Sequence, residues 1–316
     1  MKPSPLVSIV TPSFNQGQFI EETIKSVLNQ DYPNIEYIVM DGGSTDGTVE
    51  ILEKYKDRLT YVSEKDKGQS DAINKGWRRA KGDIVAWLNS DDTYCPGAVR
   101  KAVEAFEQNP EAGLVHGNCN VTDASGRTIY RMRSRPVDLS DLLCFTIIHQ
   151  PTVFLRRSVI ESVGFLNPDL HFLMDHDYWV RTAFRFPLHH IPEFLACARE
   201  HPDAKSVAQG NQFSKDALTI LDRVYSDPER ARSVQAIRNR AYAGAHLMSS
   251  LWFTLAGERR AARESLKKAL RLRPLLCFNE LALPVILESA TGIPFVRMAR
   301  RIKHGFLRFL SAPGVL

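Results

Sequence analysis

Two adjacent carboxylates close an apolar segment of this 316-residue chain. The segment runs from Gly82 to Asp92 and ends in Asn89-Ser90-Asp91-Asp92. Its β-branched and aromatic residues predict a buried strand that delivers the acids to its carboxyl end. Because neighbouring carboxylates repel each other, a shared divalent cation with oxygen ligands would keep both ionised. An acidic turn before Pro96-Gly97 is the alternative that this stretch alone leaves open.

Four more polar motifs follow predicted strands or begin predicted helices. They are Thr11-Pro12-Ser13-Phe14-Asn15, Asp41-Gly42-Gly43-Ser44-Thr45-Asp46, the segment from Gly68-Gln69-Ser70-Asp71 to Gly76, and Met174-Asp175-His176-Asp177. Open α/β sheets bind ligands beyond the carboxyl ends of their strands, so we expect these motifs to share one cleft. A carboxylate in such a cleft can hold a cation or act as a general base.

The elements that must position these motifs alternate between strand and helix. Strands are predicted at 6–11, 35–40, 59–63 and 82–92, and helices at 20–28, 49–56 and 71–80. This alternation predicts an α/β fold with a doubly wound, mostly parallel sheet. After Asp92 the pattern is less regular, with a helix at 97–108, a strand at 113–117, a hairpin over 121–133 and a strand at 152–155.

The strands stop near residue 210, so we expect a catalytic domain at 1–208 and a helical C-terminal region at 209–316. The end of that region, 293–310, is basic and amphipathic. Its apolar face holds Phe295, Met298, Ile302, Phe306 and Phe309, and its other face holds Arg297, Arg301, His304 and Arg308. Such a helix can lie on an anionic membrane surface, or it can pack on the rest of the chain.

Composition excludes several classes of protein. Five scattered cysteines without a CxxC pair favour neither a disulfide framework nor a zinc site. We expect a cytoplasmic protein, because the N-terminus leaves no room for a signal peptide and no apolar run is long enough to cross a membrane. Contact with the inner face of the membrane stays open. The net charge of +5 is modest, and no domain interleaves basic with aromatic residues, so we expect no nucleic-acid partner.

In this order and spacing the five motifs resemble those of family-2 glycosyltransferases with the GT-A fold, over residues 6–206. The resemblance implies an inverting enzyme that moves a sugar from a nucleoside-diphosphate sugar, UDP-linked in our prediction, to a hydroxyl of a glycan or lipid-linked acceptor. It also implies Mg²⁺ or Mn²⁺ as cofactor and a role in cell-envelope polysaccharide synthesis. Developing charge on the departing diphosphate is what a cation would stabilise.

The resemblance also assigns the donor side of the site. Asp92, with Asp91, would hold the metal, and Asp91 is also placed to contact the ribose. Asn89 stands where the family commonly has an acid, so a three-carboxylate cluster is absent. Asp41 would accept a hydrogen bond from the nucleotide base. The remaining donor-side residues are Thr11, Pro12, Ser13 and Asn15 around base and ribose, Gly68, Gln69 and Asp71 near the diphosphate or donor sugar, and Ser90.

On the acceptor side the resemblance implies Asp175 as general base, with Met174 where a glutamate is usual. Asp177 is expected to support the helix start by capping it or by pairing with Arg181, four residues on. His149 and Gln150 would line the acceptor site, and Arg199 and His201 are secondary candidates for phosphate or metal contacts. Trp87, Trp179 and Phe172 could stack on sugars, but core packing is the preferred interpretation.

Two other functions stay open. A catalytically degenerate GT-A protein that only binds its ligand is suggested by Asn89 and Met174, and opposed by Asp92 and Asp175. A sugar nucleotidyltransferase would need a glycine-rich phosphate loop with a nearby Lys or Arg after the first strand, and residues 11–17 lack one.

Overall fold

A computed structural model describes residues 4–201, 212–278, 282–291 and 293–296. Contacts divide the chain into two compact units. The first comprises Met1–Asp138, Ile148–Asp169 and Met174–Glu200, and the second comprises Leu139–Ile147, Leu170–Leu173 and His201–Leu316. The domain boundary expected at residue 208 lies outside the described residues. Two short segments that precede it belong to the second unit.

The first unit is built on a nine-stranded sheet. Its strands are β1 Val7–Ser13, β2 Ile35–Asp41, β3 Thr60–Ser63, β4 Ile84–Trp87, β5 Thr93–Tyr94, β6 Leu114–Thr122, β7 Thr128–Met132, β8 Phe154–Arg156 and β9 Leu188–Arg199. The order is β3-β2-β1-β4-β8-β6-β9-β5, with β7 paired to β6. The sheet confirms the α/β, GT-A-type fold class expected from the sequence.

Strands β3, β2, β1 and β4 are parallel to one another, and β6 is parallel to β9. Antiparallel pairs join β8 to β4 and β6, β7 to β6, and β5 to β9. In the parallel part Ser13 lies opposite Asp41, and Asp41 lies opposite Ser63. Three neighbouring strands therefore end at one level, which brings their polar ends together.

Seven helices accompany this sheet or belong to its connections. They are α1 Ile20–Leu28, α2 Thr48–Lys54, α3 Gln69–Arg79, α4 Ala98–Gln108, α5 Leu139–Leu143, α6 Arg157–Val163 and α7 Met174–Ala183; α5 is in the second unit. Gly76 of α3 faces the sheet, where an added Cβ would lie 2.4 Å from Val10 Cγ1. Glycine thus allows α3 to approach β1 closely, at a cost in helix propensity of about 1 kcal/mol.

Aromatic side chains fill the core beside β4. Trp87 stacks on Trp179 of α7 at 5.2 Å between ring centroids, and Trp77 of α3 contacts both Trp87 and Tyr178. The four rings are almost fully buried. The preference for core packing over sugar stacking is confirmed for Trp87 and Trp179. Phe172 packs on Phe213 and Trp252 within the second unit.

The second unit is helical. It contains α8 Gln212–Ser226, α9 Pro228–Val234, α10 Arg238–Leu255, α11 Arg259–Leu272 and α12 Ala282–Thr291, with a 3₁₀ turn at Pro274–Phe278. Its apolar core includes Leu247, Leu266 and Val285. Among the described residues no helix is both long enough and apolar enough to span a membrane. Most of the basic segment predicted at 293–310 lies outside the described residues.

Candidate functional site

Asp41, at the end of β2, is buried and surrounded by hydrogen-bond donors. Its Oδ2 accepts from the amides of Gly43 and Ser44 at 3.1 and 2.9 Å and from the Ser63 hydroxyl at 2.6 Å. Its Oδ1 accepts from the Ser44 hydroxyl at 2.5 Å. These bonds fix the carboxylate at the sheet edge, since a buried charge needs such partners.

The loop after β1 is tied to the loop after β2. The Asn15 amide N–H donates to the Ser44 hydroxyl at 2.7 Å, and Asn15 Oδ1 accepts from the Thr45 N–H at 3.0 Å. The Gly17 N–H donates to Asp46 Oδ2 at 2.9 Å. Asn15 adopts φ +52, a left-handed conformation that asparagine tolerates. The two loops therefore form one rigid rim.

Thr11, Pro12 and Ser13 are all buried in β1. The Thr11 hydroxyl lies 3.1 Å from the hydroxyl of Tyr37. Ser13 is different, because its buried Oγ has no hydrogen-bond partner among the described residues. Phe14, next in sequence, is 60% exposed at this rim. A buried hydroxyl without a partner beside an exposed ring is consistent with a place for a polar, planar ligand.

The loop before α3 is shaped by Gly68, whose φ of +108 favours glycine. The Gly68 N–H donates to Asp66 Oδ1 at 2.7 Å, and Asp71 Oδ2 accepts from the Lys67 N–H at 3.1 Å. Burial alone would raise the pKa of Asp71, but its hydrogen bond from Lys67 and its ion pair with Lys75 lower it overall. Asp71 is thus an ionised residue that organises the loop.

Asn89 is the centre of an amide network after β4. Its Nδ2 donates to Gln150 Oε1 at 3.0 Å and to Asp92 Oδ2 at 3.3 Å, and its Oδ1 accepts from Gln69 Nε2 at 2.8 Å. Gln150 Nε2 in turn donates to the Trp87 carbonyl at 2.8 Å. Residues predicted separately for donor and acceptor sides are therefore joined directly by hydrogen bonds.

Asp92 is buried, whereas Asp91 beside it is partly exposed. Asp92 Oδ1 accepts from the Arg199 amide N–H at 3.0 Å. Burial, and next the neighbouring charge of Asp91, raise the pKa of Asp92 well above its usual range. The turn is also held from α1, because the Thr23 hydroxyl donates to the carbonyls of Ser90 and Asp92 at 2.9 and 2.7 Å.

These carboxylates fit a divalent cation of the magnesium type. Such ions are bound through one or two carboxylates, with substrate phosphates and water completing the shell. A cation would also relieve the repulsion that raises the pKa of Asp92. No group of three or more potential metal-ligating side chains occurs among the described residues. The donor set therefore suits a cation that arrives with a phosphorylated substrate.

Arg199 lies at the end of β9, and its side chain is 3% exposed. Its Nε donates to the Asp91 carbonyl at 2.9 Å, one terminal nitrogen donates to the Ala124 carbonyl at 2.9 Å, and the other pairs with Glu22 at 2.5 Å. These contacts make it a support for the acidic turn. A direct phosphate contact would require this side chain to leave its partners.

Asp175 is the second residue of α7 and is partly exposed. One of its oxygens accepts from the His176 N–H at 2.7 Å. Met174, just before it, accepts at Sδ from the Ser70 hydroxyl at 2.8 Å. The starts of α7 and α3 are thus in contact. Asp177 is buried and pairs with Arg181 at 2.8 Å, which confirms the pairing expected from their spacing.

His149 precedes a 3₁₀ turn at Gln150–Thr152, where a strand had been expected from residue 152. Burial lowers its pKa to about 4, so the ring is neutral at physiological pH. Its carbonyl accepts from the Thr152 hydroxyl at 2.8 Å. His201 is buried and belongs to the second unit.

Several supporting residues escape analysis of the sequence alone. Ser63 of β3, and Thr23 and Glu22 of α1, each contact a site residue, and none belongs to a polar motif. Thr23 lies on the apolar-periodic helix α1, 67 residues before Ser90 in the chain. Other supporting residues, such as Ser44 and Ser70, lie within the motifs that the sequence analysis names.

The sheet order, with polar and acidic residues at its strand ends, is that of the GT-A fold class. Residues 8–164 match the family model for glycosyl transferase family 2. The chain is 34% identical over 240 residues to the putative teichuronic acid biosynthesis glycosyltransferase TuaG of Bacillus subtilis, covering 73% of this chain and 92% of TuaG. The chain therefore belongs to glycosyl transferase family 2, and it is a glycosyltransferase.

Solved structures share this fold at low sequence identity. S. aureus TarS 1–349 in complex with UDP aligns with a TM-score of 0.60 and 16% identity, over 95% of this chain and 92% of that one. A mannosyltransferase from Pyrobaculum calidifontis, in complex with GDP-Man and Mn²⁺, aligns with a TM-score of 0.61 and 20% identity, over 96% and 88%. The expected family, fold class and enzyme class are confirmed.

Proposed function

We propose that this glycosyltransferase moves a sugar, with inversion, from a UDP-linked donor to a hydroxyl of a glycan or lipid-linked acceptor. The observation that carries the proposal is the contact between Ser70 and Met174. It supports the proposal because Met174 directly precedes Asp175, the proposed base, and Ser70 directly follows Gly68 and Gln69, which are proposed to approach the donor sugar. TuaG is named as a putative glycosyltransferase of teichuronic acid biosynthesis, which supports a glycan as the class of acceptor.

The donor's base would enter the rim formed by the loops after β1 and β2. Asp41 is held as an acceptor for a base imide N–H, and the Ser13 hydroxyl is a buried group that lacks a protein partner in the described chain. The exposed ring of Phe14 offers a flat apolar surface beside them. UDP as the nucleotide is supported by the TarS structure, which shares this fold and contains UDP. The mannosyltransferase structure with the same fold contains GDP-Man.

The diphosphate would lie over the acidic turn, where Asp91 and Asp92 would hold Mg²⁺ or Mn²⁺. When bound, that cation would neutralise charge on the departing diphosphate. The protein's own part is to fix the turn, which it does through Thr23, Asn89 and Arg199. The turn is thus held from α1 and β9 and by its own Asn89, and such preorganisation around developing charge is what lowers a barrier.

Asp175 would take the proton from the acceptor hydroxyl as that oxygen attacks the anomeric carbon. The bond from that carbon to the diphosphate oxygen breaks in the same displacement, so the anomeric configuration inverts. Asp175, the second residue of α7, lies at the positive end of the helix dipole, which favours a negative charge there. Gln150 and His149 would border the acceptor, with the histidine neutral.

The test is transfer by the Asp175→Asn variant. We expect UDP binding within about twofold of wild type and a loss of turnover of about 10²–10⁴, the usual contribution of a general base. Binding is measured by calorimetry with UDP and Mn²⁺, and turnover by release of UDP from a panel of UDP-sugars. Asp169→Asn is the matched control, because Asp169 is an exposed aspartate that we assign to no role.

The alternative to an enzyme is a protein that binds a nucleotide sugar without transferring the sugar. The alternative is suggested by Asn89 and Met174, which stand where the resemblance leads us to expect acidic residues. Wild-type protein that binds UDP but releases none from any UDP-sugar would favour this alternative. Equal turnover in Asp175→Asn and wild type would show instead that the protein is an enzyme but that Asp175 is not its general base.

A further inference from the structure

One face of α11, Arg259–Leu272, carries charged side chains that are almost all basic. Six are cations and one is a carboxylate, and all are exposed: Arg259, Arg260, Arg263, Glu264, Lys267, Lys268 and Arg271. The resulting +5 equals the net charge of the whole chain. No other described helix exceeds +2. This helix is therefore the most strongly cationic element of the described chain.

The opposite face of α11 is fixed in the core of the second unit. Ala262, Leu266 and Ala269 are buried, and the Ser250 hydroxyl of α10 donates to the Ala262 carbonyl at 2.7 Å. Small residues let the two helices approach closely. Because this face is committed to packing, the basic face must point away from the core of its unit.

Exposed large apolar side chains follow the basic helix directly. The described chain has eight of them, and five lie between residues 272 and 293: Leu272, Leu275, Leu283, Leu287 and Ile293. Leu275, in the 3₁₀ turn, is 72% exposed. Leu283 and Leu287 are one helical turn apart on α12 and so share a face. The turn contacts both α11 and α12, so cations and leucines belong to one small region.

We propose that this region, the basic face of α11 with the leucines that follow it, binds the surface of an anionic lipid bilayer. Exposed leucines lose water when they enter the boundary between headgroups and acyl chains, and lysine and arginine attract anionic headgroups. A soluble acidic polymer would use the cations but not the leucines. Their combination is what favours a bilayer over such a polymer.

This surface differs from the segment 293–310 singled out in the sequence. It is made of described residues, and it assigns the lipid contact to Lys267, Arg271 and Leu275. It does not depend on the proposed reaction, because lipid binding is measured without a donor or an acceptor. A failure of either proposal therefore leaves the other standing.

The test is co-sedimentation of the full chain with vesicles of phosphatidylcholine alone and of phosphatidylcholine mixed with phosphatidylglycerol. We expect binding to the mixed vesicles only, weakened by added salt. Each basic residue at a membrane surface contributes about fivefold in partitioning, so Lys267→Gln/Arg271→Gln should bind about 25-fold more weakly. Leu275→Ser should weaken binding severalfold even at low salt.

Two matched variants separate this surface from other sources of charge. Lys54→Gln/Lys56→Gln removes the same charge from exposed positions on and just after α2 and should leave binding unchanged. Arg301→Gln/Arg308→Gln removes the same charge from the C-terminal segment and should also leave binding unchanged. The proposal is overturned if either variant weakens binding as much as Lys267→Gln/Arg271→Gln. The proposal also fails if two results occur together. In that case the acidic polysaccharide polygalacturonate binds as tightly as the vesicles, and Leu275→Ser weakens binding to neither of them.

Discussion

The side-chain amide of Asn89 donates a hydrogen bond to the buried Oδ2 of Asp92, 3.3 Å away. Asn89 therefore presents a hydrogen-bond donor to Asp92, where a carboxylate would present a further anionic charge. The donor partly offsets the rise in the pKa of Asp92 that burial and Asp91 cause. Asn89 thus stabilises the acidic turn before any cation is bound.

Asn89→Asp should make this site more dependent on metal. The new carboxylate removes two donated hydrogen bonds and adds charge beside Asp92, which should cost about 1–3 kcal/mol without metal. A third carboxylate should then strengthen binding of Mn²⁺. Thermal unfolding in chelator and in Mn²⁺ measures both effects. We expect a lower Tm than wild type in chelator and a larger upward shift on adding Mn²⁺.

The control for this substitution is Asn239→Asp, which makes the same chemical change at an exposed position of α10. Its Tm should change little in either condition. If Asn89→Asp melts at the wild-type temperature in chelator, Asn89 does not stabilise the turn. If Mn²⁺ then gives no larger shift than in wild type, a cation does not contact this position.

Arg199→Lys should destabilise the first unit while keeping the charge. A lysine cannot reach the carbonyls of Asp91 and Ala124 and the carboxylate of Glu22 together, because these lie around a planar guanidinium. Losing two or three hydrogen bonds from a buried, charged side chain should cost about 2–4 kcal/mol. Urea unfolding followed by tryptophan fluorescence measures the loss, and the midpoint should fall without a change in slope.

Arg100→Lys serves as the comparison for Arg199→Lys. Arg100 pairs with Asp31 and Glu104 on the surface with its side chain 44% exposed, where such pairs contribute about 0–1 kcal/mol. Equal losses of unfolding free energy in the two variants would mean that Arg199 contributes no more than a surface ion pair does. A loss confined to Arg199→Lys would support its role in holding the acidic turn.

The elements of this fold that the sequence predicts are those marked by a local residue pattern. Strands β1 to β4 alternate with helices, and each ends on a polar motif, so the parallel half of the sheet and the edge it shares follow from pattern alone. Strand β9 was not predicted. Pro192 interrupts it, and the register with β6 slips between residues 190 and 194, so neither alternation nor composition marks it.

The supporting contacts of the site are not predictable for a related reason. Arg199 meets Glu22 across 177 residues of sequence, and Thr23 reaches the acidic turn from a helix whose pattern indicates only packing. Each depends on how strands distant in sequence are ordered in the sheet. Motifs could therefore name Asp92 and Asn89, but the residues that fix them required the fold.

Stability should fall in acid because of a buried histidine. His116 of β6 is 1% exposed, and neither ring nitrogen has a hydrogen-bond partner among the described residues. Burial, and next the neighbouring His190, His149 and His189, lower its pKa to about 3. As pH falls below about 6.5, the unfolded chain takes up a proton that the folded chain excludes. Stability is therefore complete above that pH and lost progressively towards pH 3.

His116→Leu should remove this loss. At pH 7.5 the variant should be as stable as wild type or more so, because two unsatisfied nitrogens leave the core. Between pH 7.5 and pH 5 it should lose about 2 kcal/mol less than wild type, which is the cost of withholding one proton that the unfolded chain binds with a pKa of about 6.5. Urea titrations at both pH values measure the difference. His171→Gln, at an exposed position, should retain the wild-type loss, and equal losses in wild type and His116→Leu would assign the acid sensitivity to other groups.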